Sequence, residues 1–287
     1  MLGREAMTVT LRTQWIGFGL ALPLVLLFAI FFVVPFLEIM RVSFAGRGGA
    51  MTGLNWLQTS PVFAAVFLKT LKLSVTVTAW CLVLGYPAAC FIAMQPERRR
   101  GVLLALILLP FWTSVLVRTY TWSIVLGREG ILNASLIWLG LADGPTRFMF
   151  TPLAVHLGMV QILLPVAILT LVSVMTELDP SLVRAARVLG AAPARAFWHV
   201  FLPMTRPGIV AAAMLLFILS LGFYITPALL GGPRHRTIAN LIDVQVNQNN
   251  DWTTASAMAL VLLATTAVAV ALLRWLVPDR NLYGSGR

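Results

Sequence analysis

The sequence predicts an all-α integral membrane protein with about six transmembrane helices. Two observations carry this prediction. Hydrophobic residues make up 59% of the 287 residues and charged residues only 11%, whereas soluble domains carry roughly 25% charged residues. The apolar residues also fall into stretches of about 20 or more with few charges, which is the pattern of membrane-spanning helices. Together these features exclude the soluble classes of protein.

The apolar stretches divide the chain into a short tail, residues 1–14, and one transmembrane domain, residues 15–287. The six predicted helices lie at about residues 15–36, 68–94, 102–126, 152–176, 207–230 and 253–276. A signal peptide is the alternative for the first helix. Its apolar core is too long for one and no small-residue cleavage site follows it, so we expect the helix to be retained. The apolar piece at 131–141 is too short to span and predicts a helix on the membrane surface.

The basic residues predict the orientation of the chain. Six spanning helices place both termini on one side, and that side carries twelve Lys and Arg residues against nine on the other. Loops rich in Lys and Arg stay in the cytoplasm, so both termini are predicted to be cytoplasmic.

The net charge of +11 comes from short clusters between apolar blocks. These clusters form no continuous stripe, which argues against a nucleic-acid-binding protein.

The sequence carries no pattern typical of a metal site, a disulfide or an active site. Cys81 and Cys90 lie in one apolar block, and a spacing of nine residues puts them on opposite faces of a helix, too far apart to bond. The motifs His-Glu-x-x-His and Gly-x-Ser-x-Gly are absent. The acidic residues fall in tails, loops or helix ends, which argues against a proton-coupled secondary transporter with an intramembrane relay. His156 is interpreted as an interfacial residue.

The connection at 177–206 carries strong helix-terminus signals. Asp179, followed by a proline, predicts an N-cap, and Gly190 suits the left-handed residue that ends a helix. Pro193 is predicted to start a second short helix that stops before Pro203. The connection should therefore form a helix–glycine–helix elbow on the cytoplasmic side.

The first helix of this elbow has an apolar face. The predicted stripe consists of Leu182, Val183, Ala186 and Leu189. Arg184 and Arg187 point elsewhere on a helix of this register. Small alanines beside larger apolar residues allow close approach to another surface, so the elbow is predicted to dock in a groove of a partner.

The elbow resembles the EAA loop of ABC importer permeases. The resemblance rests on matches at Ala185, Ala186, Gly190, Leu202 and Pro203, and the same motif includes the positions of Arg184 and Val200. It implies that the elbow is a coupling helix that docks in a cytoplasmic ATPase and that the chain has the type I ABC importer permease fold. Arg184 stands where the family has glutamate, and Val200 stands where isoleucine is usual.

The resemblance extends over nearly the whole chain. Segments 110–113, 117–122, 130–133 and 226–233 are similar to the PotB-like permeases of the spermidine/putrescine transporter group. This similarity implies a bacterial inner-membrane complex with four kinds of partner: a second, PotC-like permease, two ATPase subunits, a periplasmic binding protein and the lipid bilayer. It favours a polyamine as solute. Amino-acid-like, opine-like and organophosphonate solutes stay open, because the group includes importers of other small solutes.

The chain lacks the phosphate-binding loop of an ATPase. That loop needs Gly-Lys followed by Ser or Thr, and the only lysines, Lys69 and Lys72, both follow leucine. We therefore expect partner subunits to bind ATP and magnesium, and we expect no cofactor in this chain.

Candidate residues for a solute path lie near the predicted outer ends of helices three and five. They are Trp112, Arg118, Tyr120, Trp122, Phe223 and Tyr224. Aromatic faces attract cations, but an interfacial aromatic belt or helix packing explains the same residues. Five basic residues share that side: Lys69, Lys72, Arg118, Arg234 and Arg236. Their charges oppose a cationic solute, so the residue pattern and the resemblance disagree on the charge of the solute.

Overall fold

The computed structural model describes residues 2–44 and 61–276, with side chains for 22–44 and 62–272. Every regular element in these ranges is helical. The α-helices are α1 (Leu2–Phe44), α2 (Pro61–Ala93), α3 (Glu97–Leu108), α4 (Val115–Val125), α5 (Ile131–Trp138), α6 (Pro152–Glu177), α7 (Pro180–Val188), α8 (Pro193–Ala196), α9 (Leu202–Leu221), α10 (Ile238–Asn247) and α11 (Trp252–Leu276). Predicted residues 277–287 of the transmembrane domain lie outside the described residues.

The described helices confirm the prediction of about six membrane spans. Five are long and apolar enough to cross a bilayer: Leu22–Phe44, Val62–Ala93, Pro152–Glu177, Pro193–Leu221 and Trp252–Leu272. The pair α3 and α4 makes a sixth if it counts as one broken span. Helix α1 also covers most of the region predicted as a tail, since it begins at Leu2.

The chain divides into two compact units. Among the described residues, one unit holds α1 together with 245–261, and the other holds 61–244 and 262–276. All the candidate site residues belong to the second unit.

The third predicted helix is broken rather than continuous. A bend of 86° separates the segment Glu97–Trp112 from Val115–Val125. Pro110 lies at the break, within a single turn of 3₁₀ helix at Leu109–Trp112, and a proline has no N–H to continue an α-helix. Ser114 then starts the next helix by accepting a hydrogen bond from the Leu116 N–H at 3.2 Å.

The fifth predicted helix was wrong at both ends. The second helix of the elbow does not stop before Pro203 but continues through a π-helical turn, Phe197–Phe201, into α9. In this turn the Leu202 N–H donates to the carbonyl of Phe197, and such wider turns accommodate the missing N–H of a helical proline. At the other end α9 stops at Leu221 instead of 230, because the Phe223 N–H turns back to the Ser220 carbonyl at 3.3 Å.

Two buried clusters hold the second unit together where α2, α6 and α9 pack. The first contains Cys81, Met159 and Leu216, and the second contains Cys90 and Leu171. Both cysteines are free and buried, as predicted. The two thiols belong to different clusters, so they do not meet. Each is packed as a small apolar side chain.

The contact between α6 and α9 depends on a missing side chain. A Cβ at Gly208 would lie 2.8 Å from the Cβ of Val174, which is fixed to the backbone and cannot move aside. We expect Gly208→Leu to destabilise the protein by about 1–3 kcal/mol through overpacking and to lower its thermal midpoint by roughly 5 °C. Gly101→Leu is the control, since nothing lies within 4 Å of a Cβ there. Equal midpoints for the two variants in a detergent melting assay would contradict this packing.

Candidate functional site

The elbow begins at a charged N-cap, as predicted. Asp179 Oδ1 accepts a hydrogen bond from the Ser181 N–H at 2.8 Å, and the Ser181 hydroxyl donates to Oδ2. The hydroxyl and backbone hydrogen bonds from Ser181 lower the pKa of Asp179. The cap therefore keeps its negative charge at the positive end of α7, where a negative charge stabilises the helix.

The turn of the elbow requires a left-handed residue, and Gly190 supplies it with φ of +88°. Its N–H donates to the Arg187 carbonyl, and the Ala191 N–H donates to the Ala186 carbonyl, both at 3.0 Å. These two bonds form the Schellman motif that ends a helix. Nothing lies within 4 Å of a Cβ at this position, so glycine is needed here for its backbone conformation and not for space.

The second half of the elbow is tied to the bundle by aromatic residues. Phe197 stacks on Phe201 with ring centroids 5.8 Å apart, and the Tyr86 ring meets Phe197 edge-on at 6.3 Å. The Tyr86 hydroxyl also forms a hydrogen bond with the Thr205 hydroxyl at 2.8 Å. These contacts link the second half of the elbow to α2, which carries Tyr86, and to α9, which carries Thr205.

The predicted apolar stripe is split by the way α7 packs. Val183 and Ala186 are half-buried, and α7 contacts the π-helical turn at Phe197–Phe201. The exposed apolar residues are Leu182, at 51%, with Val188 and Leu189, both at 87%. We call these three residues the elbow tip. The prediction of a single exposed apolar stripe was thus wrong. Val188 belongs to the exposed surface, whereas Val183 and Ala186 of the predicted stripe face the protein.

The seven predicted coupling residues fall into two structural groups. Arg184 and Ala185 are exposed on α7, with Ala186 and Gly190 beside them. Val200, Leu202 and Pro203 are half-buried in the continuous helix that leads into α9. The first group can meet a partner, and the second joins the elbow to the membrane helix behind it.

The six predicted path residues do not form one surface. Trp112 and Tyr120 are exposed, at 89% and 61%, whereas Trp122 and Phe223 pack against the first buried cluster. The Arg118 guanidinium lies 5.8 Å from the centroid of the Phe111 ring, close enough for a cation–π contact. Tyr224, the sixth residue, is 40% exposed.

Tyr224 has an acidic partner that the sequence analysis missed. Its hydroxyl is hydrogen-bonded to Asp243 of α10, and this bond raises the pKa of Tyr224. Asn240 Nδ2 donates to the Tyr224 carbonyl at 3.0 Å, and the Thr237 hydroxyl donates to the Phe223 carbonyl at 3.3 Å. The segment after α9 is thus fastened to α10. In the sequence, Asp243 is visible as an acidic residue within a short apolar stretch. Its pairing with Tyr224 could be recognised only in the folded structure.

Comparison with characterised proteins gives consistent relatives. The chain is 40% identical over 240 residues to the spermidine/putrescine transport system permease protein PotB of Salmonella typhimurium LT2, covering 81% of this chain and 84% of that protein. It is 39% identical to the PotB protein of Escherichia coli K12, again over 240 residues, covering 81% of this chain and 87% of that protein.

The fold has a close structural counterpart. A bacterial alginate ABC transporter, solved in complex with its alginate pentasaccharide-bound periplasmic protein, contains a chain that matches with a TM-score of 0.74. The identity is 18%, and the match covers 97% of this chain and 98% of that one.

The family model described as "Binding-protein-dependent transport system inner membrane component" matches residues 82–281. This chain belongs to that family of ABC transporter permease subunits.

Proposed function

We propose that this chain is one of two membrane subunits of an ABC importer that takes up polyamines such as spermidine and putrescine. The observation that carries the proposal is the identity of about 40% with permeases named for spermidine/putrescine transport, over 81% of the chain. Its partners would be a PotC-like second permease, two ATPase subunits that hold ATP and magnesium, and a periplasmic binding protein. Both termini would lie in the cytoplasm.

The elbow tip would insert into a cleft of an ATPase subunit. An exposed apolar tip next to a charged N-cap and a left-handed glycine is a rigid, pre-organised docking element, which lowers the entropy lost on binding. Arg184 and Ala185 lie on the same helix and would contact the rim of the cleft. Arg184 presents a positive charge there, in place of the family's glutamate.

The second half of the elbow would act as a lever. Helix α9 continues from it through the π-helical turn, and Tyr86 connects that turn to α2. When the ATPase subunits close, a displaced elbow would tilt α9 and α2 together. Packed helices shift between discrete arrangements rather than deform continuously, so the pore would close towards the periplasm as it opens towards the cytoplasm.

The pair Tyr224 and Asp243 supports a cationic solute. A carboxylate attracts an ammonium group, and the face of a tyrosine or phenylalanine ring does so as well. Phe223 directly precedes Tyr224 in the segment after α9. The basic residues Lys69 and Arg236, whose charges oppose a cationic solute, line a pocket whose lining includes none of these three residues.

Removing the carboxylate provides a test of this role. We expect Asp243→Asn to raise the KM for spermidine uptake by about tenfold, which corresponds to one partly screened charge pair of about 1.4 kcal/mol. The measurement is uptake of labelled spermidine into proteoliposomes that contain the complete transporter. Asp143→Asn is the control, because that acid is exposed on a loop. An unchanged KM in the Asp243 variant would remove this residue from the solute path.

The solute itself is tested by ATPase activity of the assembled complex in lipid nanodiscs with its binding protein. Stimulation by putrescine or spermidine would support the polyamine assignment. A more distant relative, 26% identical, is the putative 2-aminoethylphosphonate transport system permease protein PhnU of Salmonella choleraesuis, so that solute belongs in the panel. Stimulation by 2-aminoethylphosphonate alone would reject polyamines and keep the importer mechanism.

A further inference from the structure

A basic cavity of about 270 Å³ lies beside the start of α6, and its lining includes no residue of the elbow and neither Phe223 nor Tyr224. Two lysines of α2, Lys69 and Lys72, stand one helical turn apart on its wall, and Arg236 faces it from the segment before α10. His156, His235 and three threonines, Thr70, Thr76 and Thr237, make up the rest of the polar lining. No Asp or Glu is among the described residues that line it, so the lining carries three positively charged side chains and no negatively charged one.

The positive charge around the cavity affects the pKa of His235. Burial lowers the pKa of His235, and the positive charges of Lys69 and Arg234 lower it further. An adjoining cavity of about 540 Å³ shares His235 and adds Arg147 and Arg234 to the same basic region. A region of this kind favours a negatively charged occupant, which would relieve the repulsion among the cations.

The walls of the cavity are fixed by hydrogen bonds between helices. The Thr70 hydroxyl accepts from the Ile238 N–H at 3.1 Å and donates to the Val66 carbonyl, which joins α2 to α10. Thr76 Oγ1 lies 2.7 Å from His156 Nε2, which joins α2 to α6. Lys69 and Lys72 are therefore carried by a helix that these hydrogen bonds hold against α6 and α10, and Arg236 lies two residues before the bonded Ile238. A preformed site of this kind loses less entropy when it binds a ligand.

Exposed apolar residues flank the cavity on the outside of the helices. Leu68, beside Lys69, is 65% exposed, and Leu153, beside Pro152 at the start of α6, is 52% exposed. Leu68 lies in α2 and Leu153 lies in α6, and both helices are apolar enough to span a bilayer. A ligand with a phosphate group and a hydrocarbon chain matches both features, because its phosphate can meet the cations while its chain covers the leucines.

We propose that this cavity, framed by Lys69, Lys72 and Arg236, binds a phosphate group, and that the group belongs to the head of an anionic membrane lipid. The phosphate oxygens accept hydrogen bonds from the two ammonium groups and the guanidinium, and arginine can do so with two parallel bonds. The site shares no lining residue with Phe223, Tyr224 or Asp243 of the proposed solute path, and its cations do not depend on which solute is transported. Bound lipid would also hold α2, α6 and the segment before α10 together from outside.

Native mass spectrometry of the complete transporter tests the proposal with dioleoyl-phosphatidylglycerol as the probe and dioleoyl-phosphatidylcholine as the zwitterionic comparison. The pocket variant is Lys72→Gln with Arg236→Gln. Each cation near a membrane surface contributes a several-fold gain in affinity for anionic lipid, so we expect the first phosphatidylglycerol to bind about 10- to 30-fold more weakly. The matched control, Arg98→Gln with Arg99→Gln, removes the same charge from exposed positions at the start of α3 and should stay within about twofold of the parent protein.

Three further results decide between the sources of the phosphate and guard against misfolding. Inorganic phosphate at about 10 mM should not displace the lipid; displacement, together with pocket-dependent binding of phosphate alone, would overturn the lipid source. The charge-conserving variant Arg236→Lys should keep most of the lipid affinity, whereas a misfolded cavity would lose it. Equal phosphatidylglycerol affinity in the pocket variant and the parent protein would overturn the site altogether.

Discussion

Replacing Gly190 with valine should cut solute uptake by about tenfold while ATP hydrolysis falls much less. Gly190 has φ of +88°, and a β-branched residue in this left-handed region costs about 1–3 kcal/mol. The elbow would relax that strain by opening its Schellman turn, which breaks the fixed angle between α7 and the helix behind it. Uptake of labelled spermidine and phosphate release, measured on the same proteoliposomes, would show the loss of coupling.

Two controls show whether the effect comes from backbone strain and whether it is specific to the elbow. Gly190→Asn keeps a residue that tolerates the left-handed region, so it should transport nearly as well as the parent protein. Gly140→Val places the same kind of strain elsewhere, since Gly140 has φ of +69° and open space around it, and it should leave coupling intact. Normal transport by the Gly190→Val protein would show that the elbow does not act as a rigid lever.

Placing a charge on the elbow tip should prevent assembly with the ATPase subunits. Leu189 is 87% exposed in this chain, so its side chain contributes little to the fold and is free for a partner. Burying a leucine is worth roughly 1.5–3 kcal/mol, and Leu189→Glu would lose that energy and bury a carboxylate as well. We expect the affinity of the permease pair for its ATPase subunits to fall at least about 30-fold.

The measurement is binding of the purified ATPase subunit to the detergent-solubilised permease pair on a sensor surface. Leu189→Met is the control because it conserves volume and apolar character, and it should bind within about threefold of the parent protein. A melting curve for the Leu189→Glu permease should match that of the parent, as the residue is exposed. Undiminished ATPase binding by Leu189→Glu would place the docking surface elsewhere.

The helical fold class and the elbow could be predicted from the sequence because both depend on local signals. A stretch of apolar residues predicts a spanning helix without knowledge of its neighbours. The cap at Asp179 and the left-handed turn at Gly190 are likewise decided within a few residues, because each satisfies backbone groups of its own helix. The predicted spans at 152–176 and 253–276 agree with α6 and α11 to within one residue at each end.

Other features could not be predicted because they depend on packing between distant segments. Pro203 is read locally as a helix stop, yet a π-helical turn carries the chain through it while Phe197 and Phe201 pack on the bundle. Which apolar residues of α7 stay exposed depends on the face that α7 lays against that turn.

The amino-acid order alone therefore determines that this protein is helical, lies in a membrane and ends its elbow at Gly190, since hydrophobicity and backbone capping act over short distances. Only the tertiary structure decided that Tyr224 meets Asp243 and that Lys69 shares a cavity with Arg236. Those pairs are separated by many residues in the chain, and their contacts follow from how α2, α6 and α10 pack, which no local pattern encodes.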